Sequence, residues 1–193
     1  MKRFLGGCIA ALLLAAAGGA QDFRVGGKVG EFTLTNLQGG PVAYSPASGA
    51  ITVVLFVSTV CPVSNEYGSR MIDLYSEFSP KGVKFLFVNS NRSEPPAEVE
   101  AHARRAGYMF PVYKDVDNVV ADKFGAQYTP ESFVIDKTGT MRYHGRIDDA
   151  KNPARIQQHS LKQAIEAVLS GDVVDPAETR ALGCTIKRVR KTS

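Results

Sequence analysis

Cysteine is scarce in this chain, the two signs of charge nearly balance, and repeated or low-complexity segments are absent. Only three cysteines, Cys8, Cys61 and Cys184, occur in 193 residues. A chain of this length buries an ordinary core, so one domain that folds without a disulfide framework is expected. The three histidines, His102, His144 and His159, lie far apart. None stands at ligand spacing from a cysteine, which argues against a metal centre. The formal net charge is only +4, and nothing in it calls for nucleic acid. The late basic run Lys187, Arg188, Arg190, Lys191 reads as a solvated tail rather than a membrane or phosphate patch.

The apolar stretch at the start sets the expected compartment. Lys2 and Arg3 precede apolar residues from Phe4 to Ala17, and Gly18-Gly19-Ala20 precedes polar Gln21. This is the pattern of a secretory signal peptide cut after Ala20, and it is shorter than the roughly 20 apolar residues of a membrane span. Cys8 lies inside the stretch and leaves with it. The expected organisation is a signal peptide over 1–20, a domain over 21–171 and an extended basic tail over 172–193. Loss of Lys2 and Arg3 takes the 23 basic residues to 21 against 19 acids, a net charge of +2. A periplasmic or secreted chain meets an oxidising milieu, so Cys61 and Cys184 either pair or carry out redox chemistry.

The order of elements follows from periodicity. Glu31 to Tyr44 alternates around Gln38-Gly39-Gly40-Pro41, a hairpin ahead of the main fold. Ile51–Val57 and Val83–Val88 are continuous β-branched and aromatic runs, as strands buried on both faces require. Between them Tyr67, Met71, Leu74 and Phe78 share one helical face that ends at Ser79-Pro80-Lys81-Gly82. A second helix is expected over about Ala97–Ala106, a short edge strand at Pro111-Val112-Tyr113, and a short helix over Asn118–Phe124 closed by Gly125. Ser132–Ile135 and Thr140–His144 flank the turn Asp136-Lys137-Thr138-Gly139 as an antiparallel hairpin. Leu161, Ile165, Val168 and Leu169 face the core from a last helix ending near Gly171. Strand, helix, strand, helix implies a parallel core.

Cys61 is the candidate nucleophile. It follows a buried strand, and Pro62 takes the first helical position, where its missing N–H has no partner to lose. A cysteine there faces free N–H groups and the positive end of the helix dipole, which favours the thiolate. The competing reading is a small buried hydrophobe. Thr129-Pro130, directly ahead of a strand, is the second candidate feature, because a proline in that position often carries a cis bond.

These features, taken in order, resemble the thioredoxin superfamily. Cys61-Pro62-Val63-Ser64-Asn65, Val88-Asn89-Ser90-Asn91, Thr129-Pro130-Glu131, Tyr143-His144-Gly145-Arg146-Ile147-Asp148-Asp149 and Gly183-Cys184-Thr185-Ile186-Lys187 are similar to its peroxiredoxin-like redoxin branch, the alkyl hydroperoxide reductase/thiol-specific antioxidant type. The resemblance spans roughly Gly30 to Arg188. It implies an α/β thioredoxin fold, with a central mixed sheet flanked by helices and the N-terminal hairpin as an extension.

The chain departs from the family at informative places. Ser64 replaces the second cysteine of Cys-x-x-Cys, so Cys61 has no resolving thiol within the motif. Val54 and Ser58 stand where peroxidatic relatives carry proline and threonine; the Ser58 hydroxyl is a substitute hydrogen-bond group for peroxide or thiolate. Pro130 takes the place of the peroxide-polarising arginine, with Arg142 and Arg146 as distant substitutes, and this absence favours disulfide exchange. Tyr128 either brings its hydroxyl near the sulfur or packs against the helix. Cys184 is either a resolving partner across a long loop, whose closure cost grows only logarithmically, or, as the favoured role, a buried anchor for the tail. Glu66, Asp136, Asp148 and Asp149 read as a helix-start charge, a turn residue and solvent-facing acids.

The resemblance therefore implies an exported thiol-dependent oxidoreductase, a disulfide exchanger or one-cysteine peroxidase. Cys61 is its nucleophile, with Pro62, Ser58, Thr129 and Pro130 around it. Its partner would be an external thiol reductant or a disulfide protein. No cofactor, nucleic acid or membrane span after signal cleavage is called for, and the sequence does not specify an oligomeric state. The alternative is a non-catalytic binding module that holds a partner protein or peptide on the Cys-Pro face.

Overall fold

The computed structural model describes residues 23–190. The signal-peptide expectation over 1–20, Cys8 and Lys191 fall outside them.

A seven-stranded mixed sheet forms the centre. Its strands are β1 (Phe32–Thr35), β2 (Pro41–Tyr44), β3 (Thr52–Phe56), β4 (Lys84–Asn89), β5 (Val112–Lys114), β7 (Glu131–Ile135) and β8 (Met141–Gly145), and a second pair joins β6 (Tyr128–Thr129) to β9 (Cys184–Thr185). The helices are α1 (Pro62–Glu66), α2 (Gly68–Phe78), α3 (Pro96–Arg105), α4 (Val119–Phe124) and α5 (Ser160–Ser170). The sheet order is β2-β1-β5-β4-β3-β7-β8. β3 runs parallel to β4 and antiparallel to β7, and β7 and β8 form the expected antiparallel hairpin.

The period of two in β3 divides the core. Val53 and Leu55 face Met71, Leu74 and Phe78 of α2 with Leu161 and Ile165 of α5, while Val54 and Phe56 face Phe124 of α4 with Phe32 and Leu34 of β1. Both faces are dry, and every residue of β3 is buried. Each large side chain so buried contributes roughly 1.5–3 kcal/mol. The helix ends follow the chain chemistry: Gly125 and Gly171 close α4 and α5 in the left-handed conformation, at φ 63° and 82°.

Three expectations need correction. Val112–Lys114 is an interior strand, because β1 pairs with its outer side through Thr35 and Lys114, so the hairpin extends the sheet and covers what would have been its edge. The basic run after Cys184 is solvated only in part: the Lys187 and Arg190 side chains are exposed, but the segment that carries them is docked on the domain. Ile186 is buried in the core, Lys187 N–H donates to Asn91 Oδ1 at 2.6 Å, and the Arg188 guanidinium pairs with Asp122 and the Ala126 carbonyl. Asp148 is not solvent-facing: it is 3% exposed and accepts the Tyr67 hydroxyl (3.0 Å) and both 2.8 Å contacts of Arg70 Nη1. A carboxylate that gains a guanidinium and a phenol offsets its loss of water.

Candidate functional site

The turn between β3 and α1 puts a cysteine at a helix mouth. Cys61 is the N-cap residue, with extended backbone at φ −77° and ψ 115°, and Pro62 occupies the first helical position. Its Sγ accepts the Ser64 N–H at 3.4 Å, and the thiol reaches the Thr129 carbonyl at 3.1 Å. Cys61 itself is only 2% exposed, whereas its neighbour Val60 is 67% exposed. Thr129 and Pro130 are joined by a cis peptide bond, and Thr129 is buried against the sulfur.

A buried carboxylate that the sequence reading missed holds this turn. Glu94, 1% exposed, accepts the Ser58 hydroxyl at 2.7 Å, the Thr59 N–H at 2.6 Å and the Thr59 hydroxyl at 2.8 Å. It also accepts the side-chain amides of Asn89 and Asn91, each at 2.7 Å. Burial pushes the Glu94 carboxyl up, but these donors outweigh it and hold its pKa below the ordinary carboxylate range. Lys114 closes the network from the far side, donating to Asn89 Oδ1 and to the carbonyls of Asn91 and Glu94. The signal for this network is the polar string Asn89 to Glu94 directly after a buried strand, where polar side chains need internal partners.

Ser58 belongs to that network. Its hydroxyl hydrogen goes to Glu94, and its oxygen accepts the N–H of Val60 (3.3 Å) and Cys61 (3.1 Å). Ser58 thus fixes the backbone that carries the sulfur instead of offering a hydroxyl to peroxide. Ser64, where a dithiol motif has its second cysteine, accepts the Ser58 N–H at 3.1 Å. The arginines considered as peroxide ligands are engaged elsewhere: Arg142 with Asp136 at 2.6 Å, and Arg146 with Ser160 and Gln158. Tyr128 lies in β6 opposite Thr185, and its N–H donates to Glu131 Oε2 at 2.7 Å.

The chain's other described cysteine lies beside the first. Antiparallel pairing of β6 with β9 sets Cys184 opposite Thr129 and brings β9 into contact with α1. Both cysteines are free thiols. Burial alone pushes the Cys61 thiol up; hydrogen bonds from the Cys184 thiol, the Ser64 N–H, the Thr129 hydroxyl and the Cys184 N–H outweigh it and bring its pKa below the ordinary thiol value. The Cys184 pKa moves the other way, raised by the hydrogen bond it gives Cys61, by burial and by the Cys61 charge, against a smaller opposing effect of the Val63 N–H.

Sheet order, crossover helices and a cysteine at the strand-to-helix turn facing Thr129-Pro130 define a thioredoxin-fold protein. Residues 25–144 match the AhpC/TSA family, and the chain belongs to it. Among its relatives, thiol-disulfide oxidoreductase ResA from Halalkalibacterium halodurans is 29% identical over 116 residues, which is 60% of this chain and 65% of that protein. ResA from Geobacillus kaustophilus is 31% identical over 118 residues, 61% of this chain and 67% of the relative. The match therefore spans about two thirds of the length of these curated relatives. The crystal structure of an uncharacterized conserved protein from Geobacillus kaustophilus superposes with TM-score 0.79 at 30% identity, covering 88% of this chain and 95% of the other.

Proposed function

We propose that this chain is a thiol-disulfide oxidoreductase in which the Cys61 thiolate attacks a disulfide. The observation that carries this reading is the hydrogen-bonded thiolate site at Cys61. A sulfur at a helix start, receiving the Ser64 N–H and held below the ordinary thiol pKa, carries more thiolate than a free cysteine at the same pH. Similarity to proteins named thiol-disulfide oxidoreductase supports the same reaction class. Pro62 and Ser58 position the sulfur, and Thr129-Pro130 shapes the surface beside it. Exposed Val60 and Leu182, each close in sequence to one of the two cysteines, offer apolar contact to a disulfide-bearing protein or to a thiol reductant. The commitment of Ser58 to Glu94, and of Arg142 and Arg146 to the partners named above, supports exchange over peroxide reduction.

The reaction takes place outside the cytoplasm in this reading. The support is the charged, apolar, small-residue order of residues 1–20. Among the described residues no helix is long and apolar enough to cross a membrane.

Iodoacetamide alkylation across pH, with mass mapping of the modified residue, tests the proposal. Cys61 is expected to react at neutral pH with a midpoint below that of an ordinary thiol, and Cys61→Ser is expected to abolish this reaction. A Cys61 that stays inert at neutral pH, in native protein and in a Cys184→Ser variant alike, would leave a binding module on a redox fold and overturn the reading.

A further inference from the structure

Cys184 is delivered to Cys61 by an element built for close approach. The segment after α5 returns along the hairpin end, where His144 N–H donates to the Ala177 carbonyl and Thr179 N–H to the His144 carbonyl, both at 3.0 Å. It then enters β9. Beyond Cys184, the Ile186 N–H donates to the Gln127 carbonyl at 2.9 Å, Ile186 is buried, and Val189 N–H reaches Asn118 Oδ1 at 2.7 Å. The strand is thus pinned on both sides of the cysteine. Gly183 explains how it gets so close, since a Cβ there would stand 2.1 Å from the Thr129 carbonyl oxygen, the same oxygen the Cys61 thiol reaches. Any side chain at 183 would lift the strap off the sulfur.

We propose that Cys184 is the resolving thiol of this protein, forming a reversible disulfide with Cys61, whose sulfur lies against the β6–β9 pair at Thr129. This rests on Cys61 being the nucleophile. The Cys61 thiol touches the Thr129 carbonyl, Cys184 is the register partner of Thr129, and Ser64 leaves the nearer motif position without sulfur. In the first step Cys61 S⁻ attacks a disulfide R–S–S–R′, forms Cys61–S–S–R and releases R′S⁻. Cys184 then gives its proton to solvent or to that thiolate, and its sulfur attacks Cys61 Sγ. The Cys61–Cys184 bond forms, the Cys61–S–R bond breaks and RS⁻ leaves. Two protein thiols are oxidised and one external disulfide is reduced to two thiols; an external dithiol reverses the change. A solvent-facing role suits Cys184 better than that of a fully buried tail anchor, because it is only partly covered.

The test uses the full mature chain, reduced and then exposed to glutathione disulfide, with trapping and peptide mapping of wild type, Cys184→Ser and Cys61→Ser. Wild type is expected to lose two hydrogens and yield a Cys61–Cys184 linked peptide with little glutathione adduct. Cys184→Ser should accumulate the Cys61–glutathione adduct. Because a tethered thiol acts at millimolar or higher effective concentration, adduct decay with micromolar external thiol should be at least about a hundredfold slower in that variant. A wild-type adduct that persists as long as the variant's would overturn Cys184 as resolver while leaving Cys61 as nucleophile. No adduct and no disulfide in either protein would remove both assignments. Wild type that accumulates the Cys61–glutathione adduct and yields no Cys61–Cys184 linked peptide would overturn the resolver even if Cys184→Ser folds poorly.

Discussion

Two buried carboxylates grip the segment that carries Cys61, one at each end, and they do so with different partners. Glu94 lies under the turn ahead of α1 and accepts only neutral donors, from Ser58, Thr59, Asn89 and Asn91. Asp148 lies at the junction of α1 and α2, where it takes the Arg70 guanidinium and the Tyr67 hydroxyl; Arg70 also stacks 4.0 Å above the Tyr67 ring. The first arrangement spends its acceptors on backbone and short side chains, so it dictates the path of the chain through residues 58–61. The second clamps two long side chains and ties the helix to the segment after β8. Equal burial therefore serves two ends: one carboxylate shapes the sulfur's surroundings, the other secures the helix behind it.

Glu94→Ala should break this comparison most strongly. It strands several buried donors at once, and a loss of about 3–5 kcal/mol in unfolding free energy is expected from urea titration. In the protein that remains folded, the Cys61 alkylation midpoint should rise toward the ordinary thiol value, since the turn that presents Ser64 N–H is loosened. Asp148→Ala should cost about 3 kcal/mol by the same titration, because it leaves the half-buried Arg70 without its anion. Here the Cys61 midpoint should not move. Instead the Tyr67 phenol, pushed up to about 12 by burial together with the charge and hydrogen bond of Asp148, should titrate lower when followed by ultraviolet absorbance. If Asp148→Ala shifts Cys61 as far as Glu94→Ala does, the division of labour is wrong.

The smallest expected effect is on acid stability. The folded pKa of Glu94 lies below its unfolded value, so the carboxylate contributes stability that is fully present above about pH 4.3 and is lost as pH falls through the folded value. Asp136, held near 2 against burial by Thr138, Thr140 and Arg142, adds a second loss at lower pH. Urea midpoints should fall on acidification below about pH 4.3, and the fall should be shallower in Glu94→Gln. Equal slopes in the two proteins would assign the acid sensitivity to other groups.

Local chemistry was legible where the determining residues are neighbours. The dry run Thr52–Phe56, the apolar face of α2, the glycine ends of α4 and α5 and the Cys61-Pro62 helix mouth all follow from side chains a few positions apart. The turn role of Asp136 was legible for the same reason, since its partners Thr138 and Thr140 are two and four residues away. Ser58 shows where such reading stops. The family resemblance offered its hydroxyl as a hydrogen-bond group for peroxide or thiolate, but its hydrogen goes to Glu94, 36 residues on.

What the chain determined by itself is therefore the order of strands and helices and the presence of a cysteine at a helix start, because periodicity, capping and proline stereochemistry act over one or two turns. Tertiary structure alone decided that Val112–Lys114 is covered by β1, that Asp148 is buried, that Glu94 backs the turn, and that Cys184 comes to rest beside Cys61. These depend on which distant segments meet. That choice is made by the packing of the whole core and the pairing of backbone groups left open at its edges, of which no single stretch of sequence carries a record.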